Sequence, residues 1–395
     1  MLSINRDELK MVLDKLCKIA SSSPEDAGAS ELKFTAEGSG VLVQAANITR
    51  HITARYLFSG GSCNVDEPVE FCVPAVSLRD SVKLLKGDNV EFTLQQRSIS
   101  VRGDGDDTDD GEHCLIGMQP SGWNGAPLFN NEQASFTADR SGLVGVAKFT
   151  SFSCMADTGQ APLTAIRVTV TAGGDLKGLS ADQGRTSVLS LPGMCKDIRL
   201  VDGDEHSFML PPAAATLLAV MFGQEYSDIF VKSNSKRILF QAGGLSFDIS
   251  AEAGIDIYPR QDTMLIEDSG FVWTVDLEEL RRATNLVGIV AEKHLAKVEF
   301  TKAGKIVISG RGSIEKGSKS RQTISPTSTD GNLFDENSIE VACVDLIEAL
   351  KVPTSDQVNI GLRNTTTPAI NPVLLIEQDT NVSWKHMMLR SVNVD

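Results

Sequence analysis

The chain has 395 residues, of which 41% are hydrophobic and 23% are charged, and its net charge is −15. This length exceeds one ordinary core and the composition is typical of a globular protein, so we expect two or three domains. The sequence has no run of about 18 apolar residues and opens without a signal peptide. These features exclude a membrane span and predict a cytoplasmic protein.

The seven cysteines and five histidines are scattered along the chain, without a Cys-x-x-Cys pair or a metal-ligand spacing of histidines. The sequence therefore predicts neither disulfides nor a metal or other cofactor. A Gly-x-Ser-x-Gly elbow is also missing. Residues 312–319 depart from a phosphate-binding loop, because Ser318 intrudes before the lysine. We expect a protein that is not an enzyme.

Six acidic residues crowd into residues 104–112. They lack the ligand register of a calcium loop, so this run is predicted to be a solvated hairpin loop. An acidic total does not say where the charges lie, so it does not exclude a nucleic-acid partner.

Two patterns recur three times along the chain. The first opens a helix, with Asn5, Asp139 and Asp276 at the N-cap before an apolar stripe, at spacings of 134 and 137 residues. The second is a strand, a short helix and a strand, with Pro74 and Pro211 at the helix start, again 137 residues apart. Between the helices, apolar and polar residues alternate as in half-buried strands.

These periods predict an α+β fold, in which one two-helix, antiparallel-sheet domain occurs as three tandem copies. The expected domains are residues 1–130, 131–264 and 265–395. Helices are expected within residues 6–20, 74–86, 137–152, 211–223, 275–290 and 343–352.

Three such domains at this period, with the strand lengths and turns of residues 149–192 and 206–259, resemble the sliding-clamp family, the β subunit of bacterial DNA polymerase III. The resemblance covers essentially the whole chain. It implies a homodimeric ring that encircles double-stranded DNA topologically, independent of base sequence. It also implies that the ring tethers a replicative DNA polymerase and other replication and repair proteins, and that a clamp loader places it on DNA.

Two segments depart from the family pattern. Residues 21–28 are acidic where the family usually has an Arg-Pro-containing turn, and the tail at residues 387–390 lacks the family's proline and runs five residues further. These departures keep an alternative open. The chain could be a clamp-fold scaffold or decoy that binds partners without encircling DNA.

A pore around DNA needs only weak phosphate attraction, so positive charge is expected on the helices. The six helical segments hold 12 lysines and arginines against 10 acidic residues, although the whole chain stands at −15. Arg281 and Arg282 are adjacent and point apart, so at most one is expected to face DNA. The residues predicted to face DNA are Lys10, Lys15, Arg79, Lys83, Lys86, Arg140, Lys148 and Arg281.

By position, the resemblance also implies a partner-peptide pocket between the second and third domains and a seam between the two copies. Ordinary edge-strand or core packing is the alternative for both sets. The pocket residues are Leu163, Thr164, Gly184, Arg185, Thr186, Pro211, Ala215, Met387, Met388, Leu389 and Arg390. The seam would place Cys114, Leu115 and Ile116 of one copy against Val287, Ile289 and Val290 of the other.

Overall fold

The structure is a computed structural model that describes most of the chain. The acidic run at residues 106–112, the loop at 21–28 and most of the segment at 312–319 lie outside the described residues. The described residues are 2–20, 30–38, 40–47, 51–95, 98–105, 113–123, 129–155, 163–182, 184–251, 255–258, 266–291, 294–312, 318–365, 372–380 and 382–391.

One order of elements occurs three times: a strand, a helix, five strands, a helix and three strands. The first copy consists of β1 (Leu2–Asn5), α1 (Arg6–Leu16), β2 (Glu31–Glu37), β3 (Gly40–Asn47), β4 (Ile52–Ser59), β5 (Cys63–Val65), β6 (Val69–Pro74), α2 (Ala75–Leu84), β7 (Asn89–Leu94), β8 (Ile99–Gly103) and β9 (His113–Leu115).

The second and third copies follow in the same order. The second consists of β10 (Ala134–Asp139), α3 (Arg140–Thr150), β11 (Ile166–Thr171), β12 (Leu176–Ala181), β13 (Arg185–Leu191), β14 (Cys195–Leu200), β15 (Glu205–Leu210), α4 (Pro212–Met221), β16 (Asp228–Ser233), β17 (Arg237–Ala242) and β18 (Leu245–Ser250). The third consists of β19 (Ile266–Asp276), α5 (Leu277–Val290), β20 (Leu295–Phe300), β21 (Ile306–Arg311), β22 (Lys319–Ile324), β23 (Ser328–Gly331), β24 (Ser338–Ala342), α6 (Cys343–Leu350), β25 (Gln357–Thr365), β26 (Val373–Asp379) and β27 (Ser383–Met388).

The α+β prediction is confirmed, and a helix lies within each of the six expected segments. Side-chain caps explain two of the starts. The Asn5 side chain accepts a hydrogen bond from the Glu8 backbone amide at 3.1 Å, and the Asp276 side chain accepts one from Glu279 at 2.7 Å. Helix α2 ends two residues earlier than expected, at Leu84, so Lys86 lies beyond its last turn. No helix in the described part of the chain is long and apolar enough to cross a membrane.

Antiparallel pairing builds four sheets from the described strands. Their strand orders are β5-β1-β7-β8-β9, β14-β10-β16-β17-β18-β4-β3-β2-β6, β15-β11-β12-β13-β27-β26-β25-β19-β23 and β22-β21-β20-β24. The two nine-stranded sheets each join strands of two copies, through the β18–β4 pair in one and the β13–β27 pair in the other.

The chain divides into two compact units, and each nine-stranded sheet belongs essentially to one of them. The three-domain division stays a prediction, because its second boundary falls outside the described residues. The first unit comprises Met1–Arg140, Lys196–Gly203 and Leu217–Ala251, and the second comprises Ser141–Cys195, Asp204–Thr216 and Glu252–Asp395.

Aromatic side chains fill the core of each unit. In the first unit, the rings of Phe34 and Phe71 stack with centroids 4.8 Å apart, and Phe92 packs beside both. In the second unit, Phe271 and Trp273 both pack against Phe300. Burial alternates along strands such as β2 and β20, so these strands bury one face.

An arginine links the two helices of every copy. Each arginine lies on the first helix and donates from its guanidinium to a backbone carbonyl at the C-terminal end of the second helix. The three bonds run from Arg6 to Leu85 at 2.9 Å, from Arg140 to Phe222 at 2.5 Å and from Arg281 to Leu350 at 2.7 Å. A helix C-terminus leaves carbonyls unpaired and partly negative, so a guanidinium there both bonds and neutralises them.

We predict that Arg281→Gln lowers the free energy of unfolding by about 1–3 kcal/mol, because a charged donor is lost from the carbonyls of Leu350 and Pro353. The adjacent exposed Arg282 provides a matched control. Arg282→Gln should change stability by less than about 0.5 kcal/mol. Urea unfolding of both variants measures the difference, and equal effects would contradict the bridging role.

Candidate nucleic-acid and partner surfaces

The cations on the helices and at their ends are exposed, paired at the surface or buried. Lys10, Lys86, Lys148 and Arg282 are exposed. Arg79 and Lys83 form surface ion pairs with Asp80 and Asp14 respectively. Surface pairs of this kind contribute little energy, so their cations can exchange partners with a phosphate.

Lys15 is held inside the fold. It is buried, its ammonium bonds to Glu225 at 2.5 Å, and it lies 4.8 Å from the ring centroid of Tyr226. An ammonium that is buried and already paired with a carboxylate is poorly placed to bind a phosphate, which argues against the expected DNA-facing role.

Arg140 and Arg281 are likewise occupied, by the helix-end carbonyls described above. Arg281 also pairs with Glu278. Of the adjacent pair considered from the sequence, Arg282 is the exposed one. The sequence did not reveal this, because the carbonyl partner of Arg281 lies 69 residues further along the chain.

The second unit's nine-stranded sheet has two distinct faces. One face, here called the helix face, contacts the end of α3, where the Trp384 indole donates to the Phe149 carbonyl at 2.9 Å and the Ser180 hydroxyl donates to the Thr150 carbonyl. The opposite face, here called the distal face, carries the alternate residues of each strand.

Two cross-strand rows cover part of the distal face. In the first row, strand register aligns Met209, Arg167, Leu179, Val188, Lys385 and Glu377. In the second row, it aligns Ala181, Thr186, Met387 and Leu375. Residues directly opposite in such pairs have their Cβ atoms about 5 Å apart, so each row is a continuous strip of contacts.

A hydrophobic cluster lies on this face, here called the Tyr258 cluster. Tyr258 is buried, and its hydroxyl lies 3.0 Å from the Ala165 carbonyl and 3.3 Å from the Leu179 carbonyl. Burial raises the pKa of Tyr258, so its hydroxyl stays protonated and can donate. The cluster consists of Ala165, Leu179, Met209 and Tyr258, with Leu163, Val188 and Ile255 partly buried against them.

Three of the expected pocket residues belong to this face. Leu163 packs against the Tyr258 cluster, while Thr186 and Met387 pair with each other in the second row. Leu389 follows directly after β27 and donates its backbone amide to the Gly184 carbonyl at 2.8 Å. Thr164 is half-buried, next to Leu163.

Other expected pocket residues point elsewhere. Arg185 and Met388 are opposite each other in the next row, on the helix face, and Met388 is 2% exposed. The Arg185 guanidinium pairs with Asp182 at 2.8 Å and with Asp345 of α6 at 2.6 Å. Two carboxylates therefore hold this arginine already.

The three remaining pocket residues are outside the Tyr258 cluster. Pro211 is half-buried between β15 and α4, and Ala215 is buried within α4. Arg390 is exposed and pairs with Glu336. Sequence reasoning missed Tyr258, Ile255 and Met209. Strand alternation gave a signal for Met209, because it lies between Phe208 and Leu210 and therefore points to the opposite face of the sheet.

The expected seam residues divide by exposure. Ile116 and Ile289 are 72% and 75% exposed, and Cys114 is also exposed. Leu115 and Val290 are half-buried. Val287 instead faces the core, where it packs against Gly310 of β21, so it is not available to a second copy.

A buried polar cluster lies on the helix face. The Ser187 hydroxyl lies 2.8 Å from Nδ1 of His386 and 2.7 Å from the Ser153 hydroxyl. All three residues are fully buried, so this serine–histidine set cannot reach a substrate. Among the described residues, Nε2 of His386 has no hydrogen-bond partner. In the same part of the chain, no three His, Cys, Asp or Glu side chains are grouped to hold a metal.

Burial, with the nearby charge of Arg185, lowers the pKa of His386 to about 3 from its usual 6.5. Below pH 6.5 the unfolded chain therefore binds a proton that the native protein does not, and stability falls as the pH falls toward 3. We predict a loss of about 2 kcal/mol between pH 7 and pH 5 from this residue.

Urea unfolding at the two pH values tests this prediction with matched variants. His386→Asn should remove that part of the pH dependence, while His51→Asn, at an exposed position, should retain it. The same loss in both variants would contradict the assignment to His386.

Solved structures of bacterial sliding clamps match this chain over nearly its whole length. The DNA polymerase III beta chain of Streptococcus pneumoniae gives a TM-score of 0.84 at 16% identity, covering 99% of each chain. The Bacillus subtilis sliding clamp gives 0.83 at 18% identity, again covering 99% of each. A Helicobacter pylori beta clamp bound to a DNA ligase peptide gives 0.80 at 16% identity, covering 99% of this chain and 100% of that one.

No protein-family model and no curated protein matches the sequence. The chain has the sliding-clamp fold, and at this level the resemblance seen in the sequence is confirmed.

Proposed function

We propose that this chain, which has the fold of the bacterial sliding clamps, is a DNA polymerase processivity factor that encircles duplex DNA and acts without chemistry of its own. The fold match carries the proposal, because it spans 99% of this chain and of the clamps it matches. The exposed helix cations and the Tyr258 cluster supply a surface for each of the two kinds of partner.

A closed ring requires the unpaired sheet edges to meet. Inside the chain, the last strand of one copy pairs with the fourth strand of the preceding copy, as in β18–β4 and β27–β13. The equivalent strands β9 and β22 are left at sheet edges. Unpaired edges of this kind favour association, so we propose that β9 of one protomer pairs with β22 of its partner in a head-to-tail homodimer.

Exposed apolar side chains support this seam. Ile116 follows β9, and Leu84 at the end of α2 is also exposed. On the other edge, α5 packs on β22 and exposes Leu286 and Ile289. Association would remove these side chains from water, which stabilises the dimer.

DNA passes through the proposed ring with weak, sequence-independent contacts. The available cations are Lys10, Arg79, Lys83, Lys86, Lys148 and Arg282. Each phosphate contact releases counterions, and a small number of such contacts permits sliding. Retention would then come from the closed ring rather than from affinity.

The distal face is the proposed surface for a replicative polymerase, a clamp loader and other replication and repair proteins. Leu163, Val188 and Ile255 are only partly buried there, so apolar side chains of a short peptide have a surface to pack against. A solved clamp with a bound DNA ligase peptide supports this kind of partner.

We predict that the protein, once loaded on nicked circular DNA, remains bound in salt that removes ordinary electrostatic binders and is released when the circle is cut. Replacing Lys10, Lys86 and Lys148 with alanine should reduce the salt slope of residual binding by up to about 0.9 for each lost contact. Lys302→Ala, at an exposed turn, is the control.

Gel filtration of protein–DNA complexes before and after cutting measures retention. Persistence on cut DNA would mean direct tight binding. Loss from intact circles would favour a scaffold that does not encircle DNA.

We predict that Ile289→Asp converts the homodimer to the 42.4 kDa monomer, because a charge at an apolar seam is left desolvated and unpaired. Val201→Asp, at an exposed apolar position of the first unit, should leave the dimer intact. Light scattering at micromolar concentration distinguishes the two states. A wild-type protein that is only monomeric would overturn the ring.

A further inference from the structure

Arg167 lies in the middle of the hydrophobic part of the distal face. In the strand register it is opposite Met209 on one side and Leu179 on the other, and both belong to the Tyr258 cluster. The charge of Arg167 also acts on the Tyr258 hydroxyl, lowering its pKa against the larger effect of burial. Arg167, which is half-buried, thus interrupts the apolar part of the first row, formed by Met209, Leu179 and Val188.

The charge of Arg167 is not neutralised by the described part of the protein. Its Nε and Nη2 atoms lie 3.4 and 3.3 Å from the Ser207 hydroxyl, which itself bonds to the Thr169 hydroxyl at 2.7 Å. No carboxylate among the described residues pairs with it. In contrast, Arg185 on the helix face is held by two carboxylates.

The neighbouring charged residues of the distal face that the structure describes do not form ion pairs with Arg167. Lys177 is opposite Thr169, one row away, and adds a second positive charge. Glu377, at the far end of the first row, already pairs with Lys385 at 3.7 Å. Two exposed carboxylates also lie on or beside this face, Glu205 opposite Thr171 and Asp256 next to Ile255, and neither forms an ion pair with Arg167. The guanidinium of Arg167 therefore remains available to an anion.

We infer that Arg167 selects partner peptides that carry an acidic side chain close to their apolar anchor. This inference rests on the proposed function, since it assumes that peptides dock on the distal face. A carboxylate accepting from a half-desolvated guanidinium forms a charge-assisted hydrogen bond, which is stronger than the contacts that Ser207 supplies.

The spacing of the acid follows from the sheet. Val188, the partly exposed apolar residue of the same row, lies two strands from Arg167, at roughly 10 Å. An extended peptide advances roughly 3.4 Å per residue, so the acid and the anchor should be two to four residues apart.

The test uses labelled, end-blocked octapeptides with a leucine–leucine anchor and one aspartate two, three or four residues from it. Each has a twin with asparagine in place of aspartate, and one further peptide has a free C-terminal carboxylate instead of the aspartate. Anisotropy titrations compare wild type, Arg167→Gln, Arg167→Lys and the charge control Lys302→Gln, each as the full chain.

The best aspartate peptide should bind wild type about tenfold more tightly than its twin, and this advantage should shrink in high salt. Arg167→Gln should abolish the advantage and leave the asparagine twin within about twofold of its wild-type affinity, because the anchor contacts remain. Arg167→Lys should keep part of the advantage and Lys302→Gln all of it.

Three results would overturn the selection by Arg167 without contradicting the peptide surface. They are equal binding of the twins to wild type, an equal loss for both twins in Arg167→Gln, and a preference for the terminal carboxylate over the aspartate. A failure of every peptide to bind, in protein that is retained on circular DNA, would remove the peptide surface itself and the inference with it.

Discussion

The contact between an arginine and the end of a neighbouring helix organises each repeat of this fold. It joins two helices that are separated by tens of residues in sequence, and it supplies donors to carbonyls that a helix C-terminus leaves without partners. Because the guanidinium already donates to these carbonyls, the contact stabilises the helix pair and leaves these donors less free to bond elsewhere. The helix cations that remain exposed are mostly lysines, namely Lys10, Lys83 and Lys148, together with Arg282.

The repeated pattern made the architecture predictable from sequence. Asn5 and Asp276 cap their helices as their position suggested, and alternating residues form the expected strands. What the pattern could not give was long-range pairing. The partner of Lys15 is Glu225, 210 residues away, and the sequence of the first helix does not indicate this pairing. From the helix sequence alone, all of its charged residues are equally probable binding residues, because their distant ion-pair partners are defined only by the fold.

The candidate partner surface shows the same limit at the level of strand faces. Position along the chain placed Thr186 and Arg185 in one pocket, but adjacent residues of a strand point to opposite faces. The structure therefore assigns Thr186 to the distal face and joins Arg185 to α6. Tyr258 comes from a segment outside the regular strands, so periodicity could not reveal it. Burial and register, rather than sequence order, define this surface.

The place of β27 in its sheet has a consequence for synthesis. This strand is translated after every other strand of the nine-stranded sheet, yet it lies between β13 and β26. Until it emerges from the ribosome, the edge of β13 has no partner and the indole of Trp384 is missing from beneath α3. A nascent chain therefore carries an open sheet edge until β27 is translated, and an unpaired edge of this kind favours aggregation.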